Sequence, residues 1–409
     1  MRLVDERKSG AIWCNYFFFL NPKKGYFYKE VKMQKEVYEA LADHLDSLPT
    51  GFPRTETGVE MRILRRLFTP EDAKLAVHLT SQPRGPEEIA THAGISVETA
   101  AVRLQEMENK GLIMSMPVHG KLCYLASQYV PGFWEAQINR LTPELVEEAF
   151  EYGYTFLHPD RWRKAPLHRV VSIHKNVSVQ DKVMPYEMAE EIMKSQQVRA
   201  VMNCICKQGM GVIGNACDKP EEVCMIFGPA AEYMTRMGRA RKISLEEGLD
   251  ILKQADEAGL VLQPDNAKDP FFMCACCGCC CGILRSLKRD PKPGKIVSTP
   301  FVACLDSDEC IGCGECEERC TMDAFKLVEE KAVLDADRCI GCGLCVSTCP
   351  ANCISLERKP QSEQTEVPED HMQFELKTAQ ALGKANIGEL VEDRIKSKLD
   401  RVKEIDSEK

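Results

Sequence analysis

The chain has 409 residues, 22 cysteines and a formal net charge of −9. That length exceeds what one hydrophobic core usually organises, so two or three domains are expected. The acidic balance argues against non-specific nucleic-acid binding and suits a protein that meets basic patches on partners.

Residues 1–32 are rich in aromatics and lysine and carry no clear helical period, so they read as an extension rather than a domain. The apolar run Ala11–Leu20 lacks a small-residue cleavage site and is too short to span a membrane, and nothing else approaches about eighteen consecutive apolar residues. Amphipathic spacing begins at Met33, with Met33, Val37, Leu41 and Leu45 on one stripe. Translation is expected to start at Met33; an intact mass that includes residues 1–32 would refute this.

Residues 33–130 read as a helical domain that ends in a hairpin. Thr69-Pro70-Glu71-Asp72 supplies a cap, a first-turn proline and acids at the positive end of a helix running through Ala73 to Leu79. Gly85-Pro86 opens a short second helix that stops at Gly94, and Ser96 starts a third that stops at Gly111. Leu112–Met116 and Gly120–Leu125 read as strands around a turn at His119-Gly120. This order resembles a winged helix-turn-helix, which implies a recognition helix over Ser96–Lys110. Charge argues against a duplex there, because Glu60–Leu125 holds eight basic and eight acidic residues, and Arg62, Arg65 and Arg66 are its main basic offering. Packing or partner docking is the alternative use of the same unit.

Residues 131–299 read as a cysteine-rich α/β region. Helices are expected near Pro143–Tyr152 and Pro185–Lys194, and a strand over Val198–Met202. His158, His168 and His174 lack ligand spacing and read as surface or core histidines. Only Cys14 and Cys123 precede Cys204, whereas the other twenty cysteines lie between Cys204 and Cys353. With no export signal, a reducing cytoplasm and thiol-bound metal account for that density better than disulfides.

Ten of those thiols fall in Cys204, Cys206, Cys217 and Cys224, then Cys274, Cys276, Cys277, Cys279, Cys280 and Cys281. Such crowding is not explained by packing, since neighbouring residues point in different directions. The ten suffice for two [4Fe–4S] clusters with two thiols spare, or for one cluster and a dithiol or unusual site. Cys204, Cys206, Cys217 and Cys224 are near enough in sequence to share one cluster, although the two segments can equally mix ligands. Gly209, Gly211 and Gly214 make a weak phosphate-loop signal with neither Walker spacing nor a following helix, and a cluster-binding loop is the plainer reading. Ser244-x-x-Glu247 caps a helix over Leu245–Ala258 that Gly259 ends.

The most specific pattern is Cys310-x2-Cys313-x2-Cys316-x3-Cys320, repeated as Cys339-x2-Cys342-x2-Cys345-x3-Cys349-Pro350. Zinc ribbons use two separated C-x2-C knuckles instead. Over residues 300–358 the pattern resembles a bacterial-type ferredoxin with two [4Fe–4S] clusters. The resemblance implies crossed ligation, with Cys310, Cys313, Cys316 and Cys349 on one cluster and Cys339, Cys342, Cys345 and Cys320 on the other. Phe325–Val328 and Ala332–Asp335 read as the hairpin between the two halves. Thr321 departs from the pattern, standing where the second run has Pro350. With its flanks the chain also resembles "4Fe-4S ferredoxin" proteins of anaerobic bacteria, in which a winged-helix-like unit precedes a cysteine-rich region and a dicluster ferredoxin.

Residues 359–409 read as a charged linker with helical stretches near Pro368–Leu382 and Ile387–Ile405. The expected fold class is thus α+β and multidomain. The expected function is electron transfer through two [4Fe–4S] clusters, with one or two more in the middle region, to redox partner proteins rather than to nucleic acid or a membrane. Two alternatives stay open: a redox-sensing regulator working through the winged-helix-like unit, and an oxidoreductase with a substrate site at Cys274–Cys281. No catalytic His/Asp/Ser arrangement and no dinucleotide fingerprint is present, and no small-molecule substrate is indicated.

Overall fold

The computed structural model describes residues 22–173 and 183–384. Cys14, the run Ala11–Leu20, His174 and the helix expected over Ile387–Ile405 lie outside the described residues. Helix α1 (Pro22–Ser47) begins well before Met33, so helix extends into a stretch that lacks an apolar period. Its later turns are fixed by the expected stripe, where Leu41 and Leu45 are buried with Tyr38 and Ala42.

Helix α2 (Val59–Leu67) has no counterpart among the expected elements; Arg62, Arg65 and Arg66 interrupt its apolar residues, yet Val59, Met61, Ile63 and Leu64 all face inward. Helix α3 (Pro70–Ala76) carries the full reciprocal cap, with the Asp72 N–H donating to Thr69 Oγ1 and the Thr69 N–H donating to Asp72 Oδ2, both at 3.1 Å. Helices α4 (Pro86–Ala93) and α5 (Val97–Lys110) end on left-handed Gly94 and Gly111. Strands β1 (Ile113–Val118) and β2 (Lys121–Ala126) then pair antiparallel. Their two-residue turn has positive φ at both His119 and Gly120, the twist a tight hairpin requires.

Helices α6 (Pro143–Phe156) and α7 (Pro159–Lys164) follow. An aromatic cluster of Phe52, Tyr129, Phe133, Tyr152 and Phe156 joins α6 to the segments before α2 and after β2. The helix expected over Pro185–Lys194 is divided into a short 3-10 turn at Pro185–Glu187 and α8 (Ala189–Ser195).

A five-stranded antiparallel sheet organises the middle region, built from β3 (Arg199–Asn203), β4 (Glu222–Phe227), β5 (Arg241–Lys242), β6 (Val261–Pro264) and β7 (Phe272–Cys276) in the order β5-β3-β4-β7-β6. Strand alternation divides its side chains between two cores. Ala200, Met202, Ile226 and Cys276 join the core of the N-terminal helices. Val201, Met225, Phe227, Met273 and Ala275 pack with Ile192 and Met193 of α8 and Ile251, Leu252 and Ala255 of α11 (Leu245–Glu257). Between the strands run α9 (Ile205–Val212) and α10 (Gly228–Arg236), and α12 (Gly282–Arg289) follows β7. A helix therefore holds Gly209 and Gly211, where a loop was expected.

The C-terminal domain is a pseudo-repeat in which β8 (Phe301–Leu305) pairs with β11 (Ile354–Arg358). Helix α13 (Glu315–Arg319) follows the first cysteine run's turn, the hairpin of β9 (Phe325–Val328) and β10 (Lys331–Leu334) comes next, and α14 (Leu344–Thr348) repeats α13. Helix α15 (His371–Ala381) returns to the body of the molecule, where His371 Nδ1 lies 2.9 Å from Asp265 Oδ2 and Gln128 Nε2 donates to Glu375 Oε1 at 2.6 Å.

Candidate metal centres

The ten thiols of the middle region form two sets, and the sheet decides the division. Cys224 on β4 lies beside Cys274 on β7 because Met225 pairs with Met273 across the two strands. Cys276, two residues on, shares the face of Cys274. Cys281 at the start of α12, Cys206 in the first turn of α9 and Cys204 just before it complete this set through thiol–thiol contacts: Cys224 to Cys274, Cys274 to Cys276, Cys276 to Cys281, Cys281 to Cys206 and Cys206 to Cys204. The other set is Cys217, Cys277, Cys279 and Cys280, whose Sγ atoms all lie within 4.8 Å of one another. Cys217 thus stands apart from Cys204, Cys206 and Cys224, its neighbours in sequence.

The four-thiol set is compact. A tetrahedral ion with metal–sulfur bonds of about 2.3 Å holds its sulfurs about 3.8 Å apart. Cys217 and Cys277 are 4.0 Å apart and Cys279 and Cys280 3.7 Å, the spacing of a single ion. A cubane, with irons and sulfides between its thiolates, spreads them more widely. Each set contains one thiol inclined to ionise, as metal binding requires. Hydrogen bonds from Cys274 and Cys281 bring Cys276 down to about 6. Burial opposes ionisation of Cys217, but the Lys219 N–H and the thiols of Cys280, Cys279 and Cys277 outweigh it and lower its pKa.

In the C-terminal domain, a small cavity is lined by Cys310, Cys313, Cys316 and Cys349. Cys353, which lies outside both cysteine runs, also lines it, with its sulfur 3.5 Å from that of Cys349. Cys339, Cys342, Cys345 and Cys320 gather separately: burial pushes Cys342 up to about 12, and the charges of Cys320 and Cys339 add to it. Backbone N–H groups point at these sulfurs, from Ala332 to Cys310 at 3.4 Å, Ala303 to Cys339 at 3.3 Å and Ala324 to Cys320 at 3.2 Å. Gly312 and Gly341 have positive φ, and a Cβ at either would overlap a carbonyl oxygen, of Glu330 or of Phe301. Residues 303–356 match the family model of a 4Fe-4S dicluster domain. No curated protein and no solved structure matches the chain.

The dicluster domain is seated on the middle region by the side that carries Cys320. The Arg319 side chain donates to the carbonyl oxygens of Asp256, Glu257 and Leu344, and Ser347 Oγ donates to Asp256 Oδ1 at 2.9 Å. Thr321 lies against Gly278, where an added Cβ would come within 3.2 Å of the threonine Cβ. The residue that departs from the repeat therefore forms the junction between Cys320 and the loop of Cys277 and Cys279.

The histidines do other work. His158 caps α7, its Nδ1 accepting from the Asp160 N–H at 3.3 Å, and His168 is buried between the rings of Trp162 and Phe272. Several basic residues of the N-terminal part are engaged: Arg62 and Arg66 pair with Glu151 and Glu148 of α6, Arg65 lies over the Tyr38 ring, and Lys110 pairs with Asp72 at 2.8 Å. On α5, Glu98, Val102 and Glu106 are exposed. Among the described residues no helix is long and apolar enough to cross a membrane.

Proposed function

We propose that the chain is an iron–sulfur electron-transfer protein that carries low-potential electrons to a partner oxidoreductase. The observation that carries this reading is the seating of a dicluster domain, by its Cys320 side, on the middle region, where Cys320 and Cys342 pack against the same core as Cys206, Cys224, Cys274, Cys276 and Cys281. Cys310, Cys313, Cys316 and Cys349 would hold one cluster, and Cys339, Cys342, Cys345 and Cys320 the second. A third would draw its ligands from Cys204, Cys206, Cys224, Cys274, Cys276 and Cys281. Cys217, Cys277, Cys279 and Cys280 would hold one zinc or iron ion, as tetrahedral sulfur sites do. Reversible one-electron uptake is what a [4Fe–4S] cluster supplies when bound.

The protein's own groups set the conditions. The N–H donors of Ala332, Ala303 and Ala324 favour the more negative, reduced state at the sulfurs they face. Burial of Cys339 and Cys316 keeps water from their own sulfurs. The order of α3, α4, α5 and the β1–β2 hairpin supports a winged-helix-like unit over residues 33–130. The engagement of Arg62, Arg65 and Arg66 and the exposed Glu98, Val102 and Glu106 of α5 favour a protein partner over a duplex. Thiol-bound metal favours a reducing compartment such as the cytoplasm.

EPR of the dithionite-reduced, anaerobically purified protein tests the reading. Two neighbouring reduced clusters are expected to give a magnetically coupled spectrum, and Cys342→Ala should leave an uncoupled signal from the other. A wild-type spectrum without cubane signals would rule the electron carrier out.

A further inference from the structure

A cavity of about 850 Å³ lies between the β1–β2 hairpin, strands β4 and β7, and helix α15. This is the volume of a small-molecule site. Cys224 and Cys274 form part of its wall and are half-buried. Most of the lining is apolar, with Met116, Leu125, Ile226, Met234, Phe271 and Leu376 as examples. Exposed Glu88, Pro117, His119 and Met372 stand at its rim.

Glu135, His371 and His168 are among the polar groups that face this apolar space. Glu135 opens on the cavity but lies deep in the molecule; burial lifts its carboxyl to about 7 against backbone hydrogen bonds from the Gly132 N–H, at 2.7 Å, and from its own N–H. Burial pulls His371 down, but Asp265 and Glu375 outweigh it and hold the imidazole protonated to about 10. The buried His168 Nδ1 has no hydrogen-bond partner among the described residues, and burial depresses that ring to about 3, so it is neutral. An unpaired buried polar atom is costly unless a ligand or water meets it. Arg84 is the one arginine or lysine of the described lining, which is too little cation for a phosphate-bearing nucleotide.

We infer that the cavity binds an apolar quinone-type molecule, which exchanges electrons with the metal centre behind Cys224 and Cys274. A ligand beside an iron–sulfur centre must take electrons one at a time, and a quinone does so while its rings and methyl groups suit an apolar wall. In the reduction direction the two carbonyls become two hydroxyls. Two electrons arrive from the clusters, each of which is oxidised by one, and ultimately from a low-potential one-electron donor. Two protons come from the Glu135 carboxyl and the His371 imidazolium, which reprotonate from solvent at the rim. The redox half of this inference rests on the electron-carrier reading; the binding half does not.

Duroquinone is a suitable probe, because its four methyl groups block addition of thiols to the ring. Calorimetry on the oxidised full chain should show one duroquinone bound, and addition to the dithionite-reduced chain should abolish its cubane EPR signals. Ala230→Phe on α10, or Met116→Trp from the hairpin side, fills the cavity and should weaken binding by about tenfold or more with iron content unchanged. Glu135→Gln should bind normally but reoxidise about tenfold more slowly. Absence of binding, binding unaffected by both filling variants, or bound duroquinone that leaves normal cubane signals reduced would each overturn the inference. A reduced wild type without cubane signals would sink the electron-carrier reading instead, and the redox half with it.

Discussion

Cys279 is exposed, whereas Cys277 and Cys280 of the same set are buried, so a serine at position 279 disturbs little packing while removing one of four ligands. Cys279→Ser should release the single ion of that set and leave the cubane EPR signals intact. Metal analysis by mass spectrometry checks this; loss of a full cluster's iron and sulfide would show that the set holds a cubane. At the same scale, the dicluster thiols are legible in the sequence because C-x2-C-x2-C-x3-C spacing is local. The middle set is not, because Cys224 and Cys274 meet across strands about fifty residues apart in sequence, and only register brings them together. Glu135 and His371 carry no sequence signal for a similar reason: their environment is made by segments far from them in the chain.

Among the elements, those marked by local chemistry agree with the sequence. The cap at Thr69, the stops at Gly94 and Gly111, the turn at His119-Gly120 and the cap at Ser244 all stand where their residue types point. Helix α2 is hidden because three arginines interrupt its apolar stripe, and they pack by pairing with α6 or lying over Tyr38. Strand β7 is hidden inside a cysteine run that reads as ligands before it reads as a strand former. Helix α15 is held by His371, which stacks on Phe271 and faces Asp265 and Glu375. Its folded pKa of about 10 lies above the ordinary value of 6.5. The stabilisation is therefore complete below about pH 6.5 and is lost as pH rises towards 10. His371→Gln should destabilise the protein most at pH 6, and the gap from wild type in denaturation midpoint should close by pH 10. A gap that stays constant across that range would contradict the ion pair.

Across the whole molecule, the dicluster domain and the middle sheet share a seat made by Arg319, Ser347, Thr321 and Gly278. Arg319 is only 16% exposed at its side chain, so Arg319→Ala removes three charge-assisted hydrogen bonds from the seat and should cost about 1–3 kcal/mol in urea unfolding. An unchanged midpoint would mean that the seat is not formed in solution.

The proposed electron path extends past residues 303–356 into the thiols of the sheet. Acid-labile sulfide measured on the anaerobically purified chain tests it directly, since a mononuclear ion contributes no sulfide. About twelve sulfides per chain are expected, from three clusters. About eight would confine the clusters to the dicluster domain and contradict it.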